Sequence, residues 1–131
     1  MNIVLADAFY YIARLNHRDQ YHDDVVAFSK TFRAKTITTD LILVEVADAL
    51  AKSDCRMRVP DLIQRVRDSS EVIPASRDLL DRAMNLYRQH QDKDWTLTDC
   101  ASFVVMRERG ITSALTGDKH FEQAGFKALL K

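Results

Sequence analysis

The chain predicts an α/β fold: a three-layer α/β/α sandwich around a parallel central sheet of four to five strands. Short apolar or β-branched runs, Ile3-Val4-Leu5-Ala6, Thr36-Ile37-Thr38-Thr39 and Ser113-Ala114-Leu115-Thr116, alternate with longer stretches of helical periodicity. Such alternation marks strand–helix–strand units, whose crossovers cover both faces of a parallel sheet. Size agrees, since 131 residues with 47% apolar content suffice for one domain (1–131) with one substantial core.

Each element follows from its own residues. Ile3 to Ala6 is continuously apolar, as a central strand covered on both faces should be. Asp7 follows at once, and Ala8-Phe9-Tyr10-Tyr11-Ile12-Ala13 opens a helix. Asp7 is therefore either an N-cap or a ligand-binding acid at the carboxyl edge of the strand, and position alone leaves both open. Asn16 to Gln20 is a loop, and Tyr21 to Phe32 carries Val25, Val26, Phe28 and Phe32 at helical spacing. Thr36 to Thr39 is a second strand ending in cap residues. Asp40 to Lys52 is apolar nearly all round, so this helix is expected to be buried on most of its circumference. Glu45, inside that run, then needs an arginine or a metal ion for company, unless it is simply a salt-bridged or rim-exposed glutamate, and both readings stay open.

Lys52, Arg56 and Arg58 mark a basic turn, Pro60 to Arg67 a helix, and Glu71-Val72-Ile73-Pro74 a third strand closed by proline. Ser76 opens a helix whose expected buried stripe is Leu79, Leu80, Ala83, Met84, Leu86 and Tyr87, with Asp78, Asp81 and Arg82 on a solvated face. Asp94-Trp95-Thr96-Leu97-Thr98-Asp99-Cys100 leads into a helix from Leu97 to Arg109, which Gly110 ends. Ser113 to Thr116 is the fourth strand, Lys119 to Ala124 a short helix, and Phe126 to Leu129 a terminal edge strand.

Nineteen basic and nineteen acidic residues cancel, so contact with a nucleic acid would need a local patch. Cys55 and Cys100 are too few for a disulfide framework and suit a reducing compartment. The N-terminus has no basic segment before its short apolar run, and no stretch approaches the ~20 apolar residues of a membrane span. A soluble, cytoplasmic protein away from membranes is expected.

A parallel sheet sends every strand's carboxyl end to one edge, so Asp7 and Asp118, each following a strand, belong together there. The helix after the second strand brings Asp40 and Glu45, and the helix near Leu97 brings Asp94 or Asp99. Crowded carboxylates raise one another's pKa unless a cation neutralises them. Oxygen ligands suit Mg²⁺ or Mn²⁺ better than zinc, and such an ion equips a site for phosphodiester hydrolysis. Thr98 and Thr116 either support a ligand carboxylate or a phosphate, or are a cap and a strand residue, the plainer reading. His120, next to Lys119 and beside Asp118, either touches a phosphate or starts that helix in solvent, again the plainer reading. His17 and His22 read as exposed, and the chain has neither a Gly-rich phosphate loop nor a G-x-S-x-G.

The carrying residues are Asp7 after the first strand, Glu45 within Thr38-Thr39-Asp40-Leu41-Ile42-Leu43-Val44-Glu45-Val46, Asp99 within Leu97-Thr98-Asp99-Cys100-Ala101, and Asp118 within Leu115-Thr116-Gly117-Asp118-Lys119-His120-Phe121. In order, spacing and context they resemble the PIN-domain family of metal-dependent nucleases, and within it the small VapC-like toxins of bacterial toxin–antitoxin pairs. The similarity runs from about Ile3 to Phe126. It implies a PIN-like α/β/α fold and an endoribonuclease in which Asp7, Glu45, Asp99 and Asp118 hold Mg²⁺ or Mn²⁺ and its water. It also implies an antitoxin partner and a homodimer. Asp94, Thr98 and Thr116 take supporting places. Arg14, Lys119 and His120 are candidates for RNA contact, with Arg18, Lys52, Arg56 and Arg58 extending a basic track. One position departs from the family: a Ser, Thr or Asn commonly follows the first Asp, whereas Ala8-Phe9 stand here, and Thr116 is the hydroxyl expected to compensate. Two competing readings are weaker. A non-catalytic PIN-like module that binds RNA or a protein would have lost acids, yet all four are present. A phosphoryl-transfer enzyme of the haloacid-dehalogenase kind needs an acid where Phe9 stands, and a receiver-type site needs a lysine after its last core strand.

Overall fold

The structure, a computed structural model, describes residues 2–131; Met1, the first residue of the N-terminal stretch, lies outside the described residues. Strands β1 (Ile3–Ala6), β2 (Lys35–Thr39), β3 (Glu71–Ile73), β4 (Ser113–Leu115) and β5 (Lys127–Ala128) form one sheet, every pairing parallel, in the order β3-β2-β1-β4-β5. The helices are α1 (Ala8–Leu15), α2 (His22–Thr31), α3 (Asp40–Ala49), α4 (Val59–Ser69), α5 (Arg77–Gln89), α6 (Leu97–Arg109) and α7 (Lys119–Gln123). The α/β class and parallel sheet expected from the sequence are observed, with five strands.

β1 is central because Val4, Leu5 and Ala6 are all buried and need cover on both faces. From it the chain builds outward one way through β2 and β3, then returns to add β4 and β5 on the other side. The order reverses between β1 and β4, and beyond the carboxyl ends of strands at such a reversal lies the crevice where open α/β sheets bind ligands.

Local chemistry fixes the helices that border this crevice. Thr39 caps α3 by accepting from the amide of Ile42 at 3.1 Å. α6 opens with a reciprocal capping box: Thr96 Oγ1 accepts from the Asp99 amide at 3.0 Å, and Asp99 Oδ2 accepts from the Thr96 amide at 3.1 Å. It ends at Gly110, whose φ of 66° is left-handed and favours glycine. Buried Thr38 is satisfied by donating to the Ala6 carbonyl at 2.9 Å.

Two expectations about burial are corrected. α3 is not enclosed: Ile42, Leu43 and Val46 are buried, but Val44 is 55% exposed and Glu45 and Asp48 face outward. It is an outer-layer helix, covered where it meets α1, α4, α6 and β2. On α5, Leu79, Ala83 and Leu86 form the buried stripe, while Met84 and Tyr87 are exposed at its margin. On the expected solvated face, Arg82 is half-buried and bridges Asp78 to Glu108 of α6.

Candidate active site

The register of the central strands builds the site. Ala6 pairs with Leu115, and the Asp7 amide donates to the Leu115 carbonyl at 3.3 Å, so Asp7 and Thr116 emerge side by side at the carboxyl edge. Thr116 Oγ1 donates to Asp7 Oδ2 at 2.8 Å and accepts from the Asp118 amide at 3.1 Å. Asp118 caps α7, its Oδ1 accepting from the His120 amide at 2.9 Å. The His120 ring then points back, Nδ1 lying 2.9 Å from Asp99 Oδ2 and 3.5 Å from Asp118 Oδ2. Through the capping box of α6 the path ends at Thr96. Asp7 stands at the N-cap position of α1 but makes no side-chain cap bond, so the plain capping reading of this residue does not hold.

The electrostatics join the fourth acid to the other three. Asp7 is 6% exposed, and its pKa is pushed up from 3.8 to about 7. Burial is the main cause; the Thr116 hydroxyl opposes it, and the charges of Glu45 and Asp99 add to it. Glu45 also has a raised pKa, first through loss of water around its carboxyl and then through Asp99 and Asp118. Its residue as a whole is exposed, so the carboxyl sits at the rim of the group rather than sealed inside it. Among the described residues no lysine or arginine forms an ion pair with any of these four acids. One donor atom each from Asp99, Asp118 and His120 lie within 4.8 Å of one another, a spacing that a single cation can bridge. Carboxylates with one imidazole fit a hard or borderline divalent ion that keeps water in its remaining positions.

Other candidates land elsewhere. His120 is the correction that matters most: its ring is 17% exposed and held among the acids, not a solvent-facing helix start. The readable signal was its place two residues after an N-cap acid, where the helix start turns the ring back across Asp118. Asp94 is exposed and lines a separate cavity of about 720 Å³ with Met84, Tyr87, His90 and Trp95; no hydrogen bond joins it to the four acids. Thr98 is half-buried in the first turn of α6, while Thr96 does the capping. Asp40 opens α3 and shares no hydrogen bond with the four acids among the described residues. His22, expected to be exposed, is partly buried, with Nδ1 at 2.7 Å from the Ala13 carbonyl. A second cavity, of about 520 Å³ near Asn2, Ser113 and Lys127, lies at the opposite end of the strands.

The basic track divides. Lys119 is exposed beside Asp118, but Arg14 is seven residues beyond Asp7 in the chain, roughly 10 Å along α1. There its guanidinium lies over the Tyr10 ring at 5.3 Å. Arg58 donates to the Leu15 carbonyl at 3.0 Å and Arg18 pairs with Asp54, so this basic group belongs to the distal end of α1. Phe9 packs over the turn after β4. A Cβ on Gly117 would meet its Cζ at 2.7 Å, which explains the glycine between Thr116 and Asp118.

Thr116→Val removes one donor and one acceptor from this chain while keeping the shape. The Asp118 amide and Asp7 both lose a partner, and a loss of about 1–3 kcal/mol in urea denaturation is expected with unchanged far-ultraviolet circular dichroism.

No protein-family model matches the chain. Among curated proteins it is 25% identical over 126 residues to the 23S rRNA-specific endonuclease VapC20 of Mycobacterium tuberculosis, covering 95% of each chain. The crystal structure of that VapC20, described as a Sarcin-Ricin loop cleaving toxin, superposes with a TM-score of 0.85 at 22% identity over 94% of this chain and 95% of the other. PAE2754 from Pyrobaculum aerophilum matches with a TM-score of 0.63 at 20% identity, covering 98% of this chain and 88% of its own. FitAcB from Neisseria gonorrhoeae matches with a TM-score of 0.63 at 14% identity, covering 95% and 94%. Among the described residues no helix is long and apolar enough to cross a membrane. In sequence over nearly its whole length the chain is similar to VapC20, and its fold matches those of VapC20, PAE2754 and FitAcB.

Proposed function

We propose that this chain is a metal-dependent endoribonuclease hydrolysing RNA phosphodiester bonds, and the toxin of a type II toxin–antitoxin pair. The observation that carries the proposal is the convergence of Asp7, Glu45, Asp99 and Asp118 at the β1/β4 reversal with no lysine or arginine paired to them. Such a cluster is costly by itself and is relieved by a cation. In this reading one domain spanning 1–131 performs the reaction, with the four acids holding Mg²⁺ or Mn²⁺. The ion, when bound, supplies a Lewis acid that eases ionisation of water and offsets charge growing on a phosphate.

The protein's share is placement. Thr116 holds one oxygen of Asp7, and the Thr96 amide holds one oxygen of Asp99. Lys119, exposed at the start of α7, stands where it can meet an RNA phosphate. Ribosomal RNA is the first substrate to test, because VapC20 is named for 23S rRNA. The remaining parts of the reading are an antitoxin that covers the acidic face, a homodimer and a cytoplasmic site of action.

The test is incubation with ribosomal and total RNA in Mg²⁺ or Mn²⁺, beside EDTA. Cleavage at discrete positions is expected only with the ion, and re-addition of the ion should restore it. Equal cleavage in EDTA would remove the metal from the reading. RNA binding without cutting would favour a non-catalytic PIN-like module.

A further inference from the structure

We infer that His120 is itself a ligand of the divalent ion, and that its imidazole makes the site select Mn²⁺ over Mg²⁺. The inference rests on the metal site of the proposed function and adds to it a nitrogen donor that an all-carboxylate site lacks. Three observations carry it. The ring is enclosed among the acids, with Nδ1 at 2.9 Å from Asp99 Oδ2 and 3.5 Å from Asp118 Oδ2. Its position is set from the backbone, because the His120 amide is bound by Asp118 Oδ1 at 2.9 Å. One donor atom from the ring and one from each of Asp99 and Asp118 are within 4.8 Å of each other, as the ligands of one ion are.

The consequence is chemical. Mg²⁺ is hard and strongly prefers oxygen, whereas imidazole suits first-row transition ions, with Mn²⁺ the weakest of that series. Beside the acids, the imidazole therefore gives Mn²⁺ one more good side-chain ligand than it gives Mg²⁺. A purely positioning histidine predicts something else. If the ring only oriented Asp99 through a hydrogen bond, its loss would weaken both ions alike.

The experiment measures dissociation constants of MnCl₂ and MgCl₂ for the full chain by calorimetry, and records spin-echo modulation of the bound Mn²⁺. Wild type, His120→Asn and His120→Ala are compared, each checked for folding by circular dichroism. Asparagine retains a hydrogen-bond donor toward Asp99 without an imidazole nitrogen. The wild type is expected to bind Mn²⁺ at least about tenfold more tightly than Mg²⁺ and to show ¹⁴N coupling from the ring. In His120→Asn the coupling should vanish, and the preference for Mn²⁺ over Mg²⁺ should shrink several-fold. Absence of ¹⁴N coupling in a wild type that binds Mn²⁺ and cleaves RNA overturns this inference and leaves the nuclease reading standing. A parallel loss for both ions in both variants assigns His120 a positioning role and also overturns it. A wild type that binds neither ion removes both readings.

Discussion

Asp7→Asn abolishes RNA cleavage and, in the same protein, raises the stability of the metal-free fold at pH 8. The first effect follows from the proposed role: the amide keeps the shape but removes a negative ligand from the ion, so a rate loss on the order of 10³-fold or more is expected. The second follows from burial. Asp7 has its carboxyl in a dry position, and its pKa rises from 3.8 to about 7 on folding. Below pH 3.8 the acid is protonated in both states and contributes nothing to the pH dependence. Between 3.8 and about 7 the unfolded chain gives up the proton while the folded one keeps it, so stability falls as pH rises. Above about 7 the folded protein carries the full penalty, an upper bound of roughly 4 kcal/mol for this difference in pKa.

Asparagine escapes that penalty and still accepts from Thr116, whose hydroxyl donates to Asp7 at 2.8 Å. In EDTA, the melting temperature of Asp7→Asn should exceed that of the wild type by several degrees at pH 8 and converge with it near pH 4. Adding MnCl₂ should reverse the order, because the ion stabilises only the protein that binds it well. A variant less stable than wild type at pH 8 in EDTA would show that Asp7 is compensated within the protein and that the cation is not what the site lacks.

Much of this arrangement was legible because it rests on local rules. Ile3 to Ala6 announced a central strand by being apolar throughout, and the acids that follow β1 and precede α7 fell on one edge once the sheet was parallel. What was not legible depended on packing between elements. The apolar run of α3 suggested enclosure, but whether an outer helix is covered depends on its neighbours: Val44 is left exposed, and Glu45 reaches only the rim of the acid group. Asp94 lay five residues from Asp99 in the chain, yet the capping box fixes where α6 begins and leaves Asp94 outside the turn that faces the site. His120 was readable only as a neighbour of Asp118; that its ring reaches α6 requires knowing that α7 docks against it.

That docking rests on an aromatic cluster, which makes Phe103→Ala the second large effect. Phe103 is fully buried one helical turn after Asp99 and packs edge-on against Trp95 at 4.9 Å and Phe121 at 5.0 Å, with Phe126 at 5.6 Å. Trp95 precedes α6 and its indole N–H donates to Gln123 of α7 at 3.0 Å, while Phe121 directly follows His120. The cluster thus sets the distance between the helix that presents Asp99 and the one that presents Asp118 and His120. Truncation to alanine should cost about 3–5 kcal/mol, the range for a fully buried phenylalanine. For a domain of this size that corresponds to a fall in melting temperature of roughly 10–20 °C. Phe103→Leu, which fills most of the volume, should cost less than about 2 kcal/mol and leave the protein folded. Because α7 then rests on a looser support, the folded leucine variant should bind Mn²⁺ several-fold more weakly, although residue 103 is not among the ligands. Urea denaturation and calorimetric titration on both variants test the two parts separately. Leucine without any effect on Mn²⁺ affinity would mean that the 2.9 Å contact between His120 and Asp99 is held by the capping groups alone, independently of the aromatic packing beneath it.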